Sequence, residues 1–325
     1  MDIRSYIRAH KKWVLAILVG WIFFVALFIL KPNAFFYSST TLNVERILKT
    51  LPEEDKTALE VFFYSLSEAS FPYVLFGNKP MAICSFSETP SFQDLLGVYQ
   101  IKDLMDFFFS SMNIRNLRIQ RGWNIWKKYE HLFPSSNYVL LENRFHNWTT
   151  IILINKYHFL KVIEENIEDF KKVLGNQATP QEILKQCLKG DAVFKDILNH
   201  HDGLLGIVLG YGKHNAQLFF RRAQIEGVRD FEKFSLAKNI IVPSEGFQTL
   251  DEEYNYVCKK LTFFDKGDIP DFNPLCLTLP GFMADQDAPE THRLKHEYMK
   301  QYKNIIKKYQ EGDYLEVTIR QLTQH

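Results

Sequence analysis

The chain is poor in the features that announce a chemistry. Its four cysteines, Cys84, Cys187, Cys258 and Cys276, show no C-x-x-C spacing, which excludes a dithiol redox motif and a zinc ribbon. They lie 18 to 103 residues apart, and in an oxidising compartment they could pair in three ways. A chain with this much material for a core does not need such staples, so buried thiols are expected. No G-x-S-x-G elbow occurs, no cysteine has a recognisable histidine partner, and no pair of carboxylates stands out. Charge of one sign is lacking too: 39 Lys+Arg stand against 38 Asp+Glu. The first twelve residues hold four of the bases and one of the acids, so the remainder carries 35 against 37. A body so close to neutral is no nucleic-acid binder by bulk electrostatics. Internal repeats and low-complexity tracts are absent.

What is present is an unbroken run of uncharged, almost wholly apolar residues from Trp13 to Leu30, entered from Lys11 and Lys12 and left at Lys31 and Pro32. As a helix it would span roughly 27 Å, close to the ~30 Å hydrocarbon core of a bilayer. Arg4, Arg8, Lys11 and Lys12 precede it against the single acid Asp2, and positive residues resist translocation, so the N-terminus is expected to stay cytoplasmic. A secretory signal peptide is the competing reading. Its apolar stretch is usually 7 to 15 residues with an A-x-A-like site, whereas this run is longer and is followed by Lys31-Pro32-Asn33-Ala34. An uncleaved anchor is therefore expected, and the first cysteine, at Cys84, is too distant for a lipoprotein.

This predicts a cytoplasmic basic segment over 1–12, a transmembrane anchor over 13–30, a stalk over 31–52 and an extracytoplasmic domain over 53–325. Within the domain, Pro52 and Glu53, Glu54 and Asp55 open a helix with Leu59, Phe62, Phe63 and Leu66 on one face. Tyr73 to Phe76 and Met81 to Phe86 flank Gly77-Asn78-Lys79-Pro80 and predict a hairpin. From Pro90 to Phe133 two helices broken near Asn113 are expected. Tyr138 to Glu142 and Trp148 to Ile154 predict a second hairpin. Leu160, Ile163, Ile167, Phe170 and Leu174 predict one amphipathic helix. Thr179-Pro180-Gln181-Glu182 reads as a capping box, and Asp287-Ala288-Pro289 opens a long helix to about Tyr309. Leu275 to Leu279 and Leu315 to Ile319 are strand candidates. Helices and hairpins without βαβ alternation give an α+β fold with an antiparallel sheet. Twenty-eight phenylalanines supply its core, or an aromatic surface for a ligand or partner.

The densest cluster of reactive types runs from His200 to Asn215. A phosphate loop ending at Gly212-Lys213 would need glycine at Ile207 and Ser or Thr at His214, and a dinucleotide loop would need glycine at Asn215. No cofactor is implied. Gly203, Gly206 and Gly210 fall at i, i+3 and i+7, a smooth helix face for close packing. His200, His201 and His214 invite a metal reading that adjacent side chains on regular structure do not favour. His201, Asp202, Lys213 and His214 are the candidates for a proton-transfer or hydrolytic site. His292 and His296 share a helix face opposite Tyr298 and Tyr302, so they are expected in solvent. Asn147-Trp148-Thr149 matches a glycosylation sequon.

Three stretches, Tyr73 to Met81, Leu204 to Ala216 and Leu279 to Asp285, together with the anchor, resemble an uncharacterised family of membrane-anchored proteins from chlamydia-related bacteria. The resemblance implies a bacterial host, an inner-membrane anchor and a periplasm-facing body, in which the sequon has no use. It carries no catalytic residue. Two functions are expected: an anchored binding protein, engaging the bilayer through 13–30 and another envelope protein through its body, or a periplasmic hydrolase or transferase with a pocket near 200–215.

Overall fold

Helices and two small antiparallel sheets make up the described part of the computed structural model, residues 43–87, 111–145, 148–189, 194–234, 241–264 and 277–324. The α+β expectation holds at that level. The Trp13 to Leu30 run, Asn147, Cys276 and Leu275 lie outside the described residues. Among those described, no helix is long and apolar enough to cross a membrane.

The main sheet is built from β1 (Met81–Ser87), β2 (Tyr138–Phe145) and β3 (Trp148–Asn155) in the order β1-β3-β2. The second expected hairpin is present, with Tyr138 opposite Asn155 and Phe145 opposite Trp148. Ile151, Ile152, Leu153 and Ile154 are all buried, a continuous run that fits a central strand covered on both faces. Ile152 and Ile154 face a layer of short helices: α5 (Lys156–Glu165), α6 (Ile167–Leu174), α7 (Pro180–Lys189), α8 (Phe194–Ile197) and α9 (Asp202–Val208). Leu140 and Leu153 point the other way, toward Phe63 of α2 (Glu53–Ser67), Leu75 of α3 (Phe71–Leu75) and Tyr314 of α13 (Tyr314–Leu322). A second apolar cluster gathers Tyr73, Phe264, Leu279 and Phe282 around Tyr298, Tyr302 and Ile305 of α12 (Pro289–Tyr309).

Local signals held where they were strong. Thr179 Oγ1 accepts the Glu182 N–H at 3.2 Å and Pro180 opens α7. The long helix runs from Pro289 to Tyr309, with His292 and His296 exposed. Cys84 and Cys187 are buried free thiols, and burial pushes Cys187 up to about 12.

Elsewhere longer-range packing overrode the pattern. The first expected hairpin does not form: Ser70 is left-handed at φ 68°, Pro72 sits in the first turn, and 71–75 coil into the wholly buried α3, while β1 pairs with β3. The predicted stalk ends early, because α1 (Val44–Thr50), capped by Asn43 Oδ1 on the Arg46 N–H, buries Val44 and Leu48. Of the two helices expected between Pro90 and Phe133, α4 (Ser111–Tyr129) is the second, and residues 88–110 lie outside the described ones. The helix predicted over 160–174 is two, parted at Asn166, whose Nδ2 donates to the Val162 carbonyl at 2.8 Å. Leu315 to Ile319 is helical, capped by Asp313 and buried at Leu315, Thr318, Ile319 and Leu322. The remaining strand pair is β4 (Leu261–Phe263) with β5 (Met283–Asp285), just beyond the predicted Leu275 to Leu279.

Candidate functional site

The glycine pattern at 203–212 sets the local geometry. On α9, a Cβ at Gly206 would lie 2.8 Å from the Cβ of Ala216 on α10 (Lys213–Phe234), and one at Gly203 would lie 3.2 Å from the Cβ of Phe220. The two helices pack at backbone distance, as the smooth face predicts. Gly210 ends α9 rather than continuing it. Its φ of +75° and the +84° of Gly212 suit glycine, and the chain reverses between them into α10.

His201, Asp202, Lys213 and His214 are each engaged by a different group. His201 is the N-cap of α9: its Nδ1 accepts the Leu204 N–H at 3.1 Å, and its ring stacks on Phe220 at 3.8 Å. Burial lowers its pKa, and a ring with Nδ1 accepting is the Nε2–H tautomer when neutral. Asp202 stands in the first turn of α9, 3.9 Å from Lys195 Nζ. Lys213 reaches Asp169 Oδ2 of α6 at 2.6 Å. His214 Nε2 lies 3.3 Å from Asp285 Oδ2 of β5. Asp285 is itself fixed: its N–H donates to Asn215 Oδ1 at 3.0 Å and its Oδ1 accepts the Asp287 N–H at 3.2 Å. Two hollows among the described residues are lined by other side chains. One, between the sheet and α13, is lined by Phe63, Ser67 and Tyr314 among others; the other is a surface cleft beside Glu45, Glu60 and Asp313. Among the described residues no group of three or more His, Cys, Asp or Glu side chains is placed to hold a metal.

Two further residues carry no local signal in the sequence. Glu290, in the first turn of α12, accepts the backbone N–H groups of Lys213 at 3.1 Å and His214 at 2.8 Å. A carboxylate from a distant helix thereby satisfies two of the free donors at the positive end of α10. A Cβ at Gly212 would lie 2.5 Å from Glu290 Oε2, so the absence of a side chain there makes room for the cap.

The second residue is Lys79. It reads as a solvated turn residue, yet it is 2% exposed. Its Nζ donates to the carbonyl of Leu209, the C-cap of α9, and sits 4.7 Å from the centre of the Tyr211 ring. Tyr298 donates to the neighbouring Gly210 carbonyl at 2.7 Å. Tyr211 in turn stacks on Phe282 at 4.5 Å and packs against both apolar clusters. Among the described residues no carboxylate lies within ion-pair distance of Lys79. The carbonyl and the aromatic face favour the ammonium, but burial outweighs them and brings the amine down to about 7. Tyr73, Lys79, Leu209, Gly210, Tyr211 and Phe282 come from the three separate stretches singled out in the sequence, and they meet in this one seam.

Comparison of the chain with protein-family models, with curated proteins and with solved structures returns no match.

Proposed function

We propose that the chain is a single-pass, membrane-anchored binding protein whose α+β body works outside the cytoplasm. The observation that carries this reading is the run from Trp13 to Leu30, apolar, long enough to cross a bilayer once and preceded by four basic residues against one acid. The arrangement of the body supports it. His201 is occupied in capping a helix, and Lys213 and Asp202 are occupied in ion pairs between elements. The partners are the lipid bilayer through 13–30 and, for the body, another protein of the same envelope. In a bacterial cell the body then works in the periplasm. Alkaline carbonate extraction of membranes tests it. The full chain is expected in the pellet and a variant lacking 1–30 in the supernatant, while full-length protein washed off by carbonate would refute the anchor.

One observation favours a second reading, a periplasmic hydrolase or transferase. His214 is half exposed and backed by a carboxylate that is itself held in place, the arrangement by which a histidine is oriented as a general base. Turnover of an ester, amide or phosphoester panel that is lost in His214→Gln, with the fold intact by circular dichroism, would establish it. No turnover in the wild-type protein would remove it.

A further inference from the structure

We infer that Lys79 is a proton-linked latch: the seam between the 209–212 turn and the Tyr298 face of α12 opens by taking a proton onto the buried Lys79 amine. The turn is held at its polar edge by two side chains from outside it, Lys79 on the Leu209 carbonyl and Tyr298 on the Gly210 carbonyl. Gly210 and Gly212, both at positive φ, flank Tyr211, so the turn is bounded by the two positions with the widest backbone freedom.

The groups facing the amine leave its charge uncompensated at neutral pH. From the 209–212 turn comes Tyr211 and from α12 comes Tyr298; Tyr73 lies in the segment leading to Lys79. Burial raises the pKa of all three, Tyr211 to about 12, so none supplies a negative charge. The carboxylates of the facing helix are occupied elsewhere: Glu297 accepts from Asn78 Nδ2 at 3.5 Å, and Glu290 caps α10. In the closed seam the amine is therefore mostly neutral above pH 7, whereas once opened to water it regains the ordinary lysine affinity for a proton. Opening converts R–NH2 and one proton from water into R–NH3+; no other bond is made or broken.

The sign follows from linkage. Between about pH 10.4 and pH 7 the open form binds more protons than the closed one, so lowering the pH through this window favours opening. Below about pH 7 the closed form is protonated as well and the effect levels off. What opening uncovers is Tyr211, together with the Leu209 and Gly210 carbonyls that Lys79 and Tyr298 had satisfied.

Hydrogen exchange followed by mass spectrometry on the full chain in detergent tests this at pH 9 and pH 7, with rates corrected for intrinsic exchange. Peptides covering 206–216 are expected to lose protection at pH 7 by at least about tenfold, with about fiftyfold as the limit set by linkage, while peptides of α2 and α4 do not change. In Lys79→Met the difference between the two pH values disappears. Equal protection of 206–216 at both pH values, or the same loss in α2 and α4, overturns the latch, and so does a Lys79→Met protein that keeps the wild-type difference. The comparison between segments of the wild-type chain decides the matter even where the variant fails to fold.

Discussion

Glu253 and Lys79 are equally buried ionisable side chains, and their surroundings are opposite. Glu253, on α11 (Leu250–Lys260), is 2% exposed and fully answered. Arg221 Nε and an Nη donate to its two oxygens at 2.7 Å each, and the backbone N–H and Oγ of Ser244 donate as well. These bonds hold its carboxyl down at about 2, the Arg221 hydrogen bonds contributing most. Lys79 has a carbonyl and a ring in place of a counter-ion. The first arrangement tethers residues 242–244 to α10 and α11 and has the form of a structural bond. The second holds the 209–212 turn through one carbonyl and one ring, at the cost of burying an amine that has no counter-ion among the described residues.

Four substitutions test this difference between the two sites. The largest effect is expected at Glu253→Ala, which leaves Arg221 without its partner and should cost about 3 kcal/mol in denaturant unfolding. A loss under about 1 kcal/mol would mean the pair is not structural. Because Glu253 is depressed in the folded state, its contribution is fully present above about pH 4.5 and is lost as the pH falls toward 2; the variant's acid unfolding curve should be flatter over that window. Next, Gly210→Ala should cost about 2 kcal/mol, from positive φ together with a Cβ 2.9 Å from the Tyr298 hydroxyl and 3.0 Å from Pro80 Cδ. Lys79→Met should run the other way. Removing an amine that is unfavourable when buried, less the hydrogen bond lost by Leu209, should raise stability by about 1 kcal/mol at about pH 7.5. The gain should shrink as the pH rises toward about 10, where the wild-type amine approaches neutrality in both states. Destabilisation by Lys79→Met at every pH would show that Lys79 is a plain structural bond like Glu253. Smallest of all, His214→Gln should change stability by less than about 0.5 kcal/mol, since the His214 ring is half exposed and Asp285 keeps its other hydrogen bonds.

The elements that could be read in advance are those whose signals are local. The Thr179 cap, the proline start at 289, the β2–β3 hairpin and the glycine face of α9 each depend on residues within a few positions of one another. The errors fall where distant parts decide. Leu315, Val317 and Ile319 alternate like a strand, but a run this short fits a helix as well, and the Asp313 cap with burial at Leu315, Thr318, Ile319 and Leu322 settles it as α13. Residues 73–76 look like half of a hairpin until β3 takes β1 as its partner. Of the candidate site, the close helix packing behind Lys213 and His214 was legible, since Gly203 and Gly206 stand at the spacing of a smooth helix face. Lys79 was not, because a lysine beside Gly77, Asn78 and Pro80 has every local mark of a solvated turn. Its partners there are the Leu209 carbonyl and the Tyr211 ring, which lie more than a hundred residues further along the chain.

The most direct test of the functional account is topology. Fusions of alkaline phosphatase, which is active only after export, and of green fluorescent protein, which fluoresces when it folds in the cytoplasm, would be placed after His325 of the full chain expressed in bacteria. An anchored body outside the cytoplasm gives an active phosphatase and a dark fluorescent fusion, with both results reversing once residues 1–30 are deleted. A fluorescent full-length fusion with an inactive phosphatase would contradict it, and the body would then have to work inside the cytoplasm.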